Sequence, residues 1–593
     1  MMRTLALACL SCALIFTIGC GPDSRDDHPT TPTIRIEPAD VSVEIVDGVA
    51  VVQDYTATLV MPDGSKSDVT NRAVFTVQDG AFGSWAGPSL TVTGGAAGPT
   101  RVIATTTEAM GDTGLTVYVK GHRFDGNVPP NAPDLFGTAT ETAGRAPAIA
   151  YPADNILVPP NLGEFDVHWT DNVGNDLFEV SLHNQYVDLK IYKAGGGSQF
   201  TIYSPSEWYS IAASREPLQL TVAGLATGSP AQKGTTVPQT VGVTNAQVQG
   251  GVYYWTTQPT QGVYRYDMGL PTTPPSSFFP PGTEPTPCLG CHGLSKDGTK
   301  MALTIDSGDG RGTILNVADR SVLVPFNTNA QYWNFATFNP DATKLVTVYH
   351  GQLSLRDGNN GAILASIPNS PGTTATHPEL SPDGSRLANV ETTQHIYDFQ
   401  VSNGSIVTRT FDASTNTFGP IQMLVPNAPG ASNYYPSWSP DGQWIAFTRT
   451  AGNSYNDATA EAWVVRSDGS QPPIMLAAAN IGSGLTNSWP RWAPFAQSVG
   501  ANNEPVFYLT FSTTRPFGVR PTGGTQIWMT PFFPDRAAQG IDPSGPAFRM
   551  PFQLLTSANH IAQWTQQVVI GKNADGTPLT ALQQAQRAGL ATP

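Results

Sequence analysis

Hydrophobic and polar residues alternate with period two along most of this chain. Ile34-Arg35-Ile36 and Val41-Ser42-Val43-Glu44-Ile45 are clear cases, and Tyr55 to Leu59 continues the pattern into the turn Met61-Pro62-Asp63-Gly64. Alternation over four to eight residues marks half-buried strands, and a Pro-Asp-Gly turn presets φ at Pro and takes positive φ at Gly. Similar runs cover Phe165 to Trp169, Leu189 to Tyr192 and Leu218 to Val222. The pattern predicts an all-β chain: two N-terminal β-sandwiches, at 33–120 and 148–248, separated by a Pro- and Ala-rich linker at 121–147.

From residue 249 to 593 the pattern repeats. Six places set an apolar residue before a small or polar one: Leu294-Ser295, Phe338-Asn339, Leu380-Ser381, Trp438-Ser439, Trp492-Ala493 and Trp564-Thr565. The spacings are 44, 42, 58, 54 and 72 residues, each enough for one four-stranded blade plus insertions. Four anchors lead into a turn and a strand, as in Ser381-Pro382-Asp383-Gly384 then Arg386 to Val390. Six anchors predict a six-bladed β-propeller. Gly250 to Thr256 and Gly262 to Met268 are expected to share the closing blade with the C-terminal strand, which removes an exposed edge.

Composition agrees: 58 Gly and 51 Pro with only 13% charged residues suit short strands and tight turns, not helical bundles. The net charge of −15 without a basic stripe excludes nucleic acid as an expected partner. The first twenty residues form a targeting segment, with Arg3 ahead of an apolar stretch from Leu5 to Ile18 that is short for a bilayer span. Residues 21–32 read as a flexible polar tether.

Some of these stretches resemble known families. Thr17-Ile18-Gly19-Cys20 resembles a bacterial lipoprotein box, with Thr17 where Leu is usual. The resemblance implies lipidation of Cys20, and Gly21 in place of Asp implies an outer-membrane lipoprotein anchored in the cell envelope, periplasmic or surface-exposed. Tyr55 to Phe75, Arg101 to Thr105 and Leu115 to Val119 resemble the group 2 bacterial immunoglobulin-like domain, which implies a spacer or adhesion module. Ser-Pro-Asp-Gly followed by an apolar strand resembles the propeller repeat of the Tol-system protein TolB.

With Cys9 and Cys12 lost with the signal and Cys20 lipidated, one pair remains, in Cys288-Leu289-Gly290-Cys291-His292. This is a c-type haem-attachment sequence: two thiols add to the porphyrin vinyls and the adjacent imidazole reaches the iron. Cys288 and Cys291 are thus the candidate attachment residues of one covalent haem c, with His292 as iron ligand. A redox-active Cys pair would want a βαβ context, and a zinc site a second ligand pair; both remain open as rivals. Beyond five residues the resemblance to cytochromes stops. Single-motif propellers of this kind are similar to several environmental bacterial lipoproteins and, more distantly, to the haem-bearing propeller of the hydrazine synthase alpha subunit.

Aligned on the anchors, Cys291, Phe335, His377, Tyr435, Trp489 and Ile561 stand three residues ahead, and Gly290, Asn334, Thr376, Tyr434, Ser488 and His560 four ahead. Equivalent positions converge on a propeller axis. His377 and His560 are therefore candidate sixth ligands, expected to share a mouth with His292 among Tyr434, Tyr435 and Trp489; Met268 and Met301 are weaker ones. Asp306 and Asp309 read as a hairpin turn, and His168 and His183 as structural strand residues. Two functions follow. One is electron transfer or haem-based redox chemistry with an envelope redox partner. The other is a propeller module binding a protein or glycan, with haem structural or absent. Neither requires an enzyme.

The anchoring expectation is directly testable. Cys20→Ser should move the protein from washed membranes to the soluble fraction; retention of the variant on membranes contradicts a lipid on Cys20.

Overall fold

The computed structural model describes residues 30–279, 289–305, 310–325, 331–573, 575, 577–580 and 583–584. Cys20, Cys288, Asp306 and Asp309 lie outside the described residues. Within them the chain is all-β, with three short α-helices, Ala132–Thr138, Pro205–Ala212 and Pro534–Ala538. No helix among the described residues is long and apolar enough to cross a membrane.

The N-terminal strands form a sandwich around Tyr55, Leu59, Phe75, Val102 and Val117, all buried. Its boundary differs from expectation. Strand Met110–Asp125 runs through residue 120: its first half pairs with Val41–Val46 and Gly98–Thr105, and its second half pairs in parallel with Val187–Ala194. The two sandwiches therefore share one sheet. The expected linker 121–147 is structured as well. Ala132–Thr138 starts with Pro133 in its first turn and buries Phe136, and Thr140–Glu141 pairs with Gln232–Thr235. Pro and Ala there serve a helix start and a packed helix face, a role that composition alone does not separate from a loose connector.

From Gly251 to Thr565 six sheets form the predicted ring. Five have their inner strands at Leu289–Leu294, Ala336–Phe338, Thr374–Leu380, Ser432–Trp438 and Ser488–Trp492. The remaining blade takes Ala558–Thr565 as inner strand, paired antiparallel to Gly251–Gln258, so both ends of the ring meet in one sheet.

The repeated turn has a common chemistry. Ser295, Ser381 and Ser439 each donate a hydroxyl to the Asp two residues on (2.6, 2.5 and 2.5 Å) and accept the N–H of Lys300, Arg386 or Trp444 (2.9 to 3.0 Å). Gly298, Gly384 and Gly442 take φ near +70°, and Ala342 holds the same place at 54°. The anchor tryptophans staple blades together: the indole N–H of Trp438 donates to Glu379 O, that of Trp492 to Ser437 O, and that of Trp564 to Thr510 Oγ1, each at 3.0 Å.

The second sandwich docks on the ring rather than trailing from it. Arg520 Nη1 donates to Asp166 Oδ1 at 2.6 Å, His168 packs edge-on against Phe517 at 4.6 Å, and Asn161 donates to Val248 O and Met268 O. His168 is fully buried at this joint, in keeping with a structural role. Met268 and Met301 are both buried in apolar clusters, and neither lines the axial cavity described below. Arg520→Ala leaves the Asp166 carboxylate buried without its cation. It should cost about 3 kcal/mol and speed proteolysis at the joint; unchanged thermal and proteolytic stability would show that the contact carries no load.

Candidate functional site

The inner strands of a propeller crowd its axis, so side chains aimed inward at equivalent positions must meet. Here Cys291, Phe335, His377, Tyr435, Trp489 and Ile561, the six aligned positions, line one axial cavity together with His292 and Arg491. The convergence has a backbone cause. His377, Tyr435, Trp489 and Ile561 take φ of 49°, 54°, 58° and 52°, conformations uncommon outside glycine. Strand register shifts around Cys291 and Ile561, between Leu289 and His292 and between His560 and Gln563, and likewise at His377, Tyr435 and Trp489, between Thr376 and Glu379, Tyr434 and Ser437, and Ser488 and Arg491. Each is a β-bulge that re-aims one side chain inward. Pro378, Pro436 and Pro490 follow His377, Tyr435 and Trp489; a proline has no N–H to give the ladder and is tolerated where pairing is already interrupted.

The rings pack closely. Tyr435 stacks on Trp489 at 3.8 Å, His377 lies 4.1 Å from Tyr435, and Phe335 meets His377 edge-on at 4.7 Å. About 10 Å³ stays open, room for one water. The Tyr435 hydroxyl donates to Ser454 O at 2.8 Å. Both ring nitrogens of His377 are buried with no hydrogen-bond partner. His292 approaches Tyr253 O with Nε2 at 3.4 Å; a carbonyl only accepts, so Nε2 carries the proton, and the buried Nδ1 has no partner. Burial lowers the His292 pKa to about 4 and that of His377 well below the usual imidazole value, with Arg491 acting in the same direction on both. Both rings are therefore neutral near pH 7, the state in which imidazole presents a lone pair to a metal.

His560 does not line the axial cavity; it lines a neighbouring cleft at the same mouth, with its ring 5.9 Å from Trp255. It stands one residue before Ile561, which lines both spaces. Tyr434 is absent from the axial lining too and donates to Gly452 O at 2.8 Å. Arg491 was not foreseen; its place two residues past the bulge, on the inward side, is the signal that could have found it.

A c-type haem asks for imidazole lone pairs and for room. His292 and His377 supply unpartnered nitrogens on one cavity, beside Cys291. The space enclosed inside the ring admits no macrocycle beside the aromatic plug. The fit thus lies in the donors, and the ring interior offers no seat for the porphyrin.

No family model matches the chain, and no curated protein matches it. Among solved structures it is similar to the putative TolB of Agrobacterium tumefaciens (14% identity over 56% of this chain and 97% of that one, TM-score 0.32). It is also similar to TolB of Acinetobacter baumannii (15%, 59% and 92%, TM-score 0.27). A third is hydrazine synthase of Kuenenia stuttgartiensis (13%, 47% and 70%, TM-score 0.28). At these scores the propeller assignment rests on the chain's own strand pairing.

The unpartnered imidazole gives a prediction. In haem-free protein, His377→Phe puts at this position the kind of side chain that Phe335 and Tyr435 place at theirs. Removing two unsatisfied buried nitrogens should stabilise the propeller by about 1–3 kcal/mol. A comparable loss of stability would show that the imidazole has a partner within the fold.

Proposed function

We propose that this chain is an envelope-anchored propeller that carries one covalent haem c and transfers electrons at the periplasmic or outer face of the cell envelope. The observation that carries the reading is the pairing of the Cys-x-x-Cys-His motif with a second buried, unpartnered imidazole. His292 and His377 line one axial cavity although 85 residues separate them. In this reading Cys288 and Cys291 would hold a haem seated outside the closed ring interior, His292 would reach its iron, and His377 is the candidate second donor. A haem held there would supply one-electron chemistry. The protein's own part is rigidity. Bulges on five inner strands and the Tyr435–Trp489 stack hold the imidazoles, and burial keeps them unprotonated. The shared sheet of the two sandwiches would serve as a stalk between Cys20 and the ring. A second reading, a binding module for a protein or glycan, is favoured by the cleft at the ring mouth.

Expressed with haem-maturation machinery, the wild type should keep its haem stain through a denaturing gel, and Cys288→Ala with Cys291→Ala should lose it. If His377 reaches the iron, the reduced wild type should refuse carbon monoxide and His377→Ala should bind it. A colourless wild type sinks the haem reading; ready carbon monoxide binding by the wild type removes His377 from the iron.

A further inference from the structure

Beside the axial cavity, at the same mouth of the ring, lies a cleft of about 300 Å³, at the lower end of the size range of small-molecule pockets (roughly 300–1,000 Å³). It shares Trp489 and Ile561 with the axial cavity and is built over three blades. Trp255 and Trp489 are half-buried in its lining, and Tyr455 is 50% exposed at its edge. Around these rings stand hydroxyl and amide side chains, among them Thr257 and Asn456, and the carboxylate of Asp457. Among the described residues no Lys or Arg lines the cleft. The indole N–H of Trp255 is buried without a hydrogen-bond partner.

The aromatic surface continues outward from the cleft. Phe399 lies 5.5 Å from Tyr455, and Tyr397 stacks on Phe399 at 5.3 Å with the rings 6° from parallel. Tyr397 is half exposed. The hairpin that carries Tyr397 is fixed to the cleft loop. Ser402 bridges to Asn453, and Ser454 Oγ donates to Phe399 O at 2.9 Å while accepting the Val401 N–H at 3.1 Å. The row is thus preformed.

We propose that this cleft binds a neutral saccharide chain, with Trp255, Trp489 and Tyr455 as stacking faces and the row to Tyr397 as the path of further sugar units. Flat aromatic faces suit the C–H faces of pyranose rings, while hydroxyl, amide and carboxylate groups suit a ligand that both donates and accepts at many points. Anionic ligands find no cation in the lining and meet a chain of net charge −15. A quaternary ammonium would use the rings but leave the surrounding hydroxyls and amides without partners. The inference rests on the binding-module reading and is independent of haem, because neither Cys291 nor His292 is among the described residues that line the cleft.

The test is calorimetry on the full mature protein and on its Cys288→Ala, Cys291→Ala form. The probes are hexasaccharides of β-1,4-glucose, β-1,4-N-acetylglucosamine and α-1,4-glucose. At least one should bind both forms alike. Tyr455→Ala, at an exposed site that folding does not depend on, should weaken that binding about tenfold, and Tyr455→Phe should hold it within about twofold. Trp255→Ala should weaken it too, with its fold checked by circular dichroism. Binding of none of the three overturns the proposal. So does binding that Tyr455→Ala leaves unchanged, or binding of only an oligogalacturonate or glycine betaine. A wild type that stays colourless after haem maturation and still binds the saccharide would fail the electron-transfer reading alone.

Discussion

The ring exists because its two ends share a sheet. Gly251–Gln258 and Ala558–Thr565 pair across some 300 residues of chain, and Thr256 Oγ1 donates to Asn559 Oδ1 at 2.8 Å within that pairing. A six-sheet array left open would expose two strand edges and splay its inner strands. Closure forces the inner strands onto one axis, and everything at the axis follows from that: the aromatic stack, the buried imidazoles and the cleft at the mouth. The clasp is non-local, and the loop entropy lost in making it is recovered only if the blades between are already well packed. The three tryptophan staples from blade to blade, and the Ser–Asp turns that lead into the second strand of three blades, are local devices that order those blades before the ring shuts.

Much of this was legible. The turn Ser-Pro-Asp-Gly announces itself because each residue has one job in it: a hydroxyl that caps, a fixed φ, a carboxylate acceptor and a positive φ. Anchor spacing then gave the blade count. The six residues three places before the anchors do line one cavity, because equivalent positions in a ring differ only by rotation. What alignment could not separate was position three from position four, that is Ile561 from His560. Which of two neighbours faces the axis depends on the bulge, and its clearest mark in the sequence is the proline after His377, Tyr435 and Trp489. Where that proline is missing, as after Ile561, the signal is gone.

The N-terminal half was less legible, for a different reason. A boundary at residue 120 fits a module that ends when its last strand ends. Strand Met110–Asp125 instead runs on into the neighbouring sheet, and nothing in its alternating pattern records a change of partner. Joined by that strand, and by Arg520–Asp166 to the propeller, the three parts make a continuous arm rather than beads on a string.

The axial cavity sets up a tension that gives the proposal its content. Two neutral imidazoles with unpartnered nitrogens face an almost filled space, in a shell where a hydrocarbon ring in place of His377 would satisfy packing better. Keeping such groups costs stability unless something uses them. The most direct measurement is anomalous diffraction at the iron edge on crystals of the protein matured with haem. An iron peak within bonding distance of His292 is the predicted result. An iron placed elsewhere, or no iron in a crystal of correctly exported protein, would contradict it.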